Sequence, residues 1–272
     1  MMDSARAMPR RAFRGGRWET GARTVPAEVP VALVYNGTTQ AVMMATPADL
    51  EDFAVGFSRT EGIVADISEI REIDRQESEA GIELRLWLAP GAEARYLARR
   101  RAQVGPVGCG LCGIDSLTEA LRPLPAVAGT LRLGPRDVAE AMAGLARCQS
   151  LNLATRAVHA AGFWQPGRGT TTIREDVGRH NALDKLAGAL ARARTDAGAG
   201  AVVLTSRVSV DMVQKAVLIG APVLIAASAP TALAVETAEA AGLTLVAVVR
   251  GDEFEVFTRP DRISESPASD VA

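Results

Sequence analysis

The chain has 272 residues, 48% of them hydrophobic and 23% charged, with a formal net charge of −2. That is length for one large domain or two modest ones, an ordinary globular balance, and no reason to expect nucleic-acid binding. No apolar run reaches the ~18 residues of a membrane-spanning helix, and three cysteines, an odd number, do not make a secreted disulfide framework, so a reducing, cytoplasmic setting is expected.

Residues 1–27 are Arg-rich without hydrophobic periodicity and read as a flexible tail; no apolar segment of an export signal follows Arg10-Arg11. Val31–Tyr35 and Ala41–Met44 read as strands joined across Asn36-Gly37, a favoured hairpin pair. Thr46-Pro47-Ala48-Asp49 opens a helix to about Arg59, with Thr46 as N-cap and Pro47 in the first position. Ser68–Arg75 and Gly81–Leu88 read as strands, the second alternating Ile82, Leu84, Leu86 and Leu88 with Glu83, Arg85 and Trp87. A short helix is expected over Glu93–Arg101. Residues 28–121 thus read as a small, mostly antiparallel α+β domain, ending in a Cys109-x-x-Cys112 loop and a helix over Asp115–Leu121.

Arg122-Pro123-Leu124-Pro125 breaks the chain. Gly134–Arg147 reads as a helix, and Cys148 at its end as a core or subsurface residue. From about residue 150 strands and helices alternate: strands at Ala154–Phe163, Ala201–Thr205, Pro222–Ala227, Leu243–Val249 and Glu253–Thr258, helices at Gly178–Ala193, Ser209–Ile219 and Thr231–Ala241. Short apolar runs between amphipathic helices predict a largely parallel sheet with helices on both sides, in a second domain over 122–258. Ligands of such sheets bind past the carboxyl ends of the strands. Residues 259–272 read as a disordered polar tail.

Four places hold candidate chemistry. Gly108-Cys109-Gly110-Leu111-Cys112-Gly113 sets two thiols among three glycines, which leave the sulfurs little shielded. The spacing suits thiol–disulfide exchange, half a zinc site or carriage of a persulfide. No second cysteine pair or His-x3-His exists to complete a zinc site, so no metal ligand is assigned. Arg174-Glu175-Asp176-Val177-Gly178-Arg179-His180-Asn181-Ala182-Leu183-Asp184-Lys185-Leu186 is dense in charge and contains one of the two histidines and one of the two lysines. Its spacing fits a capped, solvated helix with Asn181, Asp184 and Lys185 on the polar face, or an anion site using Arg174, Arg179, His180 and Lys185. Thr205-Ser206-Arg207, followed by Ser209 and the other lysine, Lys215, joins a strand end to a helix start, as does Ser228-Ala229-Pro230-Thr231. Arg250-Gly251-Asp252 follows the last long strand. Three successive strand ends with polar turns suit an anion.

"GCGLCG" (108–113), "REDVGRHNALDKL" (174–186), "SVDMVQKA" (209–216), "SAPTALAVE" (228–236) and "LTLVAVVRG" (243–251) together resemble the formate dehydrogenase accessory sulfurtransferases, the FdhD family, over about residues 28–258. The resemblance implies a mixed α/β chain with a cytidine-deaminase-like three-layer α/β/α C-terminal domain, and a homodimer. It implies a sulfurtransferase that takes persulfide sulfur from a cysteine desulfurase and delivers it to the molybdenum or tungsten bis-molybdopterin guanine dinucleotide of the formate dehydrogenase catalytic subunit. Cys109 and Cys112 would carry the sulfur. The cofactor would meet Arg179, His180, Asn181, Arg207, Lys215, Ser228 and the segment Val248, Val249, Arg250, Gly251, Asp252, Glu253. That family often carries a second basic residue where this chain has Asp252-Glu253. Two other readings stand beside this one: a thiol–disulfide oxidoreductase, and a chaperone that escorts the cofactor without chemistry.

Overall fold

A computed structural model describes residues 2–101 and 123–264. Cys109, Cys112, the expected helix over Asp115–Leu121 and the tail after residue 264 lie outside the described residues. The fold is mixed α/β, as expected, with three sheets of two, four and six strands.

Strands β1 (Ala5–Arg14) and β2 (Arg17–Pro26) form a two-stranded antiparallel ribbon where a flexible tail was expected. Its residues are mostly exposed, so it lacks the hydrophobic periodicity that marks a strand packed on a core. Strands β3 (Val29–Tyr35) and β4 (Thr38–Ala45) follow, joined by Asn36 and Gly37 at φ 46° and 80°, the two-residue turn expected there. Helix α1 covers Leu50–Thr60. Strands β5 (Ile70–Ser78) and β6 (Gly81–Leu88) then complete a sheet in the order β4-β3-β6-β5, with β3 and β6 parallel. Helix α2 (Pro90–Arg101) joins α1 over its inner face, where Phe53, Phe57, Tyr96, Leu33, Leu84 and Leu86 pack.

Helix α1 begins at Leu50, so Thr46 does not cap it; Asp49 (φ 53°) turns the chain into the helix and frees Thr46 for another role. Helix α3 (Pro135–Cys148) buries Val138, Ala141 and Leu145. That stripe stops at Leu145, so Cys148 is exposed in the final turn rather than in the core. Helix α4 (Ser150–Thr155) takes the first residues of the strand expected from Ala154, and the strand itself, β7, starts at His159 and runs to Gln165. β8 (Gly169–Asp176), unforeseen in the sequence, returns antiparallel to it.

Helix α5 (Arg179–Arg192), β9 (Ala201–Leu204), α6 (Val210–Ile219), β10 (Val223–Ala226), α7 (Ala232–Ala241), β11 (Thr244–Arg250) and β12 (Glu253–Thr258) then build the six-stranded sheet, ordered β12-β11-β10-β9-β7-β8. Only β9, β10 and β11 are mutually parallel, because hairpins add antiparallel strands at both flanks. Alternate strand residues face opposite layers: Val202, Leu204, Leu224 and Leu245 meet α5, α6 and α7, and Val203, Val223, Ile225 and Val246 meet α3. This is the expected three-layer arrangement. Residues 259–264 are ordered against it: Arg262 is buried and donates to Gly242 O, and Ile263 bridges Leu133.

The two units lock through α1 and α5. A Cβ on Gly56 would lie 1.7 Å from Asp184 O, and one on Gly188 would lie 1.8 Å from Asp52 O. The helix backbones touch, and only glycine permits it.

Candidate functional site at the carboxyl edge of the sheet

The thirteen residues from Arg174 to Leu186 divide between two environments. Those on the inside are structural. Asp176 is fully buried; its Oδ2 accepts from Lys185 Nζ at 2.6 Å and from Thr46 N at 3.0 Å, and its Oδ1 from Gly178 N and Asn181 Nδ2. Lys185 also donates to Thr46 O, and Asn181 to Met44 O. Burial pushes the Lys185 amine below its usual range, against the pull of Asp176. Arg174 donates to Asp52, which also accepts from Arg192. Glu175 accepts from the amides of Leu151 and Asn152 and so holds the start of α4.

The solvated polar face expected for Asn181, Asp184 and Lys185 is therefore wrong: they are 2%, 1% and 0% exposed, because the N-terminal unit covers that side of α5. Arg174 and Lys185 do not stand at an anion site. Asn181, expected at the cofactor, is spent on this seam.

Lys215 belongs to the same seam. Its Nζ lies 2.8 Å and 2.9 Å from the Asp184 oxygens, 2.9 Å from Glu61 Oε1 and 3.1 Å from Thr60 Oγ1. Burial acts against the Lys215 charge, but Asp184 and Glu61 outweigh it and hold its pKa above the ordinary amine range. Burial raises Asp184 in turn. The structure places Lys215 between the two units and not at the strand ends.

The other residues meet at the carboxyl edge of the six-stranded sheet. β9, β10 and β11 end there, and so does β8; β7 begins there, His159 pairing with Asp176. Helices α5, α6 and α7 all start at this edge, after Gly178, Ser209 and Thr231. Each helix start carries a partial positive charge, and at α7 Thr231 Oγ1 caps it by accepting from Ala234 N. The loops after β9 and β10 hold each other through Val208 N to Ala229 O and Thr231 N to Val208 O.

Arg207 is exposed in the first of these loops and Ser228 is half-buried in the second. Arg250 is exposed at the end of β11 and donates to Ala227 O and Val249 O, which ties the third strand end to the second. Gly251 (φ 63°) and Asp252 make the turn to Glu253, and the three are exposed. Val249 is buried beneath them. Val248 has φ 57°, inside the register shift between Ala247 and Arg250. A β-branched residue in that region is strained by ~1–3 kcal/mol, and such strain is held where surrounding packing over-determines it.

At the start of α5, Arg179 and His180 remain at this edge. His180 Nδ1 lies 2.8 Å from Asp211 Oδ2, on the first turn of α6. Burial raises the Asp211 carboxyl, but His180 beside it outweighs burial and holds the group down at about 2. His180 Nε2 and Arg179 Nε are buried with no partner among the described residues. His159 lies alongside; burial, and then the nearby Arg179 and His180, lower its pKa, so it is neutral at neutral pH. Thr205 Oγ1 accepts from Ala160 N and lies 3.5 Å from His159 Nδ1.

The structure thus brings Arg179, His180, Arg207, Ser228 and Val248–Glu253 to one edge, and sends Asn181 and Lys215 to the seam. Asp211 was missed as a partner of His180. Thirty-one residues separate them, and only the adjacency of two helix starts joins them. Among the described residues no group of three or more His, Cys, Asp or Glu could hold a metal ion, and no helix is long and apolar enough to cross a membrane.

Comparison with known proteins follows the same lines. The sequence model of the FdhD/NarQ family matches residues 26–264. The chain is 54% identical over 261 residues to the sulfur carrier protein FdhD of Agrobacterium fabrum, covering 96% of each. It is 56% identical over 256 residues to that of Brucella abortus biovar 1, covering 94% of this chain and 95% of the relative. Among solved structures it resembles a candidate formate dehydrogenase accessory protein from Desulfotalea psychrophila, with a TM-score of 0.77 and 27% identity over 96% of this chain and 100% of that one.

Proposed function

The chain belongs to the FdhD/NarQ family, and from that premise we propose that it is a sulfur carrier for the maturation of a formate dehydrogenase. The curated relatives bearing that name support the role. The donor, the acceptor and the intermediate are our reading. The Cys109 thiolate attacks the outer sulfur of a cysteine desulfurase persulfide; the donor's S–S bond breaks, its thiolate leaves, and Cys109 holds a persulfide. Cys112 then attacks the inner sulfur of that persulfide. The Cys109–Cys112 disulfide forms, hydrosulfide leaves for the acceptor, and a thiol reductant resets the pair. The two electrons that reduce the sulfur come from the Cys109 and Cys112 thiols together as they become the disulfide.

The acceptor is the bis-molybdopterin guanine dinucleotide of the dehydrogenase, written here as a substrate. One observation carries its placement: three helix starts, with Arg179, Arg207 and Arg250, converge on a single sheet edge. Such an edge recognises phosphates, and the buried His180 Nε2, without a partner among the described residues, is free to hydrogen-bond a nucleoside. Asp252 and Glu253 sit at the rim and would turn away from phosphate.

Incubation with a desulfurase and cysteine should add the mass of one sulfur to the wild type and none to Cys109→Ala. Co-expression with a formate dehydrogenase should give active enzyme with the wild type only. Full activity with Cys109→Ala would remove Cys109 as carrier.

A further inference from the structure

Strands β1 and β2 meet at Gly15-Gly16, whose φ values of 54° and 79° form the tight turn of the ribbon. The two ends of this ribbon differ. Its base is seated: Val25 and Pro26 are partly buried, and Arg23 donates to Thr155 O at the end of α4. Burial fades along the shaft. Arg10, Ala12 and Glu19 are the last partly buried positions, and every residue from Phe13 to Trp18 is exposed. The tip is an arm standing clear of the body.

That tip combines aromatic rings with unpaired cations. Phe13 lies opposite Trp18 in the register. Each is 62% exposed, their rings are 5.4 Å apart, and Arg11 sits over Trp18 at 5.2 Å. Strand alternation puts Arg11 on the aromatic face and Arg10, Arg14 and Arg17 on the other, so arginines flank the rings on both faces. Residues 5–26 hold six arginines and one glutamate, a net charge of +5 in a chain whose total is −2. Glu19 lies 3.5 Å from Arg17, and among the described residues no carboxylate pairs with Arg10, Arg11 or Arg14. Exposed apolar groups rimmed by charge mark a contact.

Area and shape select the partner. Ten residues at ~3.4 Å by two strands' width give ~340 Å² per face, well under the ~800 Å² that each side of a stable protein interface contributes. Nucleic acid fits poorly too. Trp18 is already engaged by Phe13 and Arg11 and is no open platform for a stacked base, and Arg10 and Arg23 face the body rather than a phosphate track. A bilayer surface asks for less area and for charge all round. It takes up an apolar body to a depth of ~5–10 Å, holds Trp at headgroup level, and lets arginine stems lie along the apolar part while their heads stay wet. Three exposed residues on each strand at ~3.4 Å give a free end of ~10 Å, as long as that layer is deep.

We propose that the tip of the ribbon docks on an anionic lipid surface. Phe13 and Trp18 enter the boundary between headgroups and acyl chains, and Arg11, Arg14 and Arg17 meet the lipid phosphates. Charge complementarity favours an anionic leaflet over a neutral one, since each arginine near such a surface adds to the attraction. The rest of the chain is net negative, so an anionic surface holds it off and confines the contact to the arm. The protein lies on the bilayer by this arm and does not span it. The inference does not depend on the sulfur chemistry.

Vesicle flotation with the full chain tests it. Vesicles of phosphatidylcholine and phosphatidylglycerol, about three to one, should carry the wild type, and vesicles of phosphatidylcholine alone should bind it at least roughly tenfold more weakly. Trp18→Ala should lower the partition by roughly tenfold, and Arg14→Gln by about fivefold, the share of one arginine at a charged leaflet. Trp87→Ala removes an aromatic that is 39% exposed on the four-stranded sheet and should bind as the wild type does. All three sites are exposed, so the melting temperatures should match the wild type. Failure to float with the anionic vesicles, equal binding to the neutral ones, a Trp18→Ala variant that binds unchanged, or an equal loss in Trp87→Ala would each overturn the proposal. An oligonucleotide that binds the chain where the vesicles do not would assign the arm to nucleic acid instead.

Discussion

The seam between the units and the carboxyl edge of the six-stranded sheet draw on the same run, Arg174–Leu186, and use its charges in opposite ways. At the seam, Asp176, Lys185, Asp184 and Lys215 are buried and every charge has a partner. At the edge, Arg207 and Arg250 are exposed, and His180 Nε2 is left without a partner among the described residues. Satisfied buried charge fixes how two bodies sit together. Unsatisfied polar atoms at a rim are what a ligand can use. One helix, α5, thus holds the molecule together along its side and presents chemistry at its first turn.

Substitutions should separate these regions. The largest effect is expected from Lys185→Ala, which leaves Asp176 buried and uncompensated. Urea unfolding should show a loss of about 3–5 kcal/mol; a loss below about 1 kcal/mol would mean that the pair does not hold the seam. Gly188→Ala drives a Cβ into the Asp52 carbonyl and should cost at least about 1–3 kcal/mol, with the same readout.

Asp211→Asn joins the two regions. The Asp211 carboxyl sits at about 2 in the fold, against ~3.9 in an unfolded chain. Its stabilisation is therefore present above pH ~4 and lost as pH falls toward 2, and amounts to about 2 kcal/mol. The variant should lack that acid limb, measured as stability against pH. A limb of unchanged size would place the low pKa elsewhere.

Arg207→Ala should leave the melting temperature within error, yet weaken binding of guanosine diphosphate by roughly tenfold, the loss of one charge-assisted hydrogen bond. Calorimetric titration reads it. Equal affinity in the variant would move the phosphates away from this loop.

Much of the fold was legible because its signals are local. The Asn36-Gly37 turn, the alternation of Gly81–Leu88 and the strand–helix rhythm after residue 195 each depend on neighbours a few residues apart. The thiol pair and the strand-end arginines could be picked out in the same way. Errors arose where a distant element decided. Thr46 carries the marks of a helix cap, yet it accepts from Val177 N and Lys185 Nζ across the seam. The ribbon has too few buried residues to leave a pattern.

Residue types and short-range periodicity suffice to specify most of the elements, the three-layer sheet and the family, since hydrogen bonding and alternation act within a few residues. Which charges face water is another matter. Asn181, Asp184 and Lys185 present the pattern of a solvated helix face, and only the arrival of α1 against Gly188 makes that face an interior. Burial depends on what packs from far along the chain, and burial settles whether a lysine binds a ligand or joins two sets of elements.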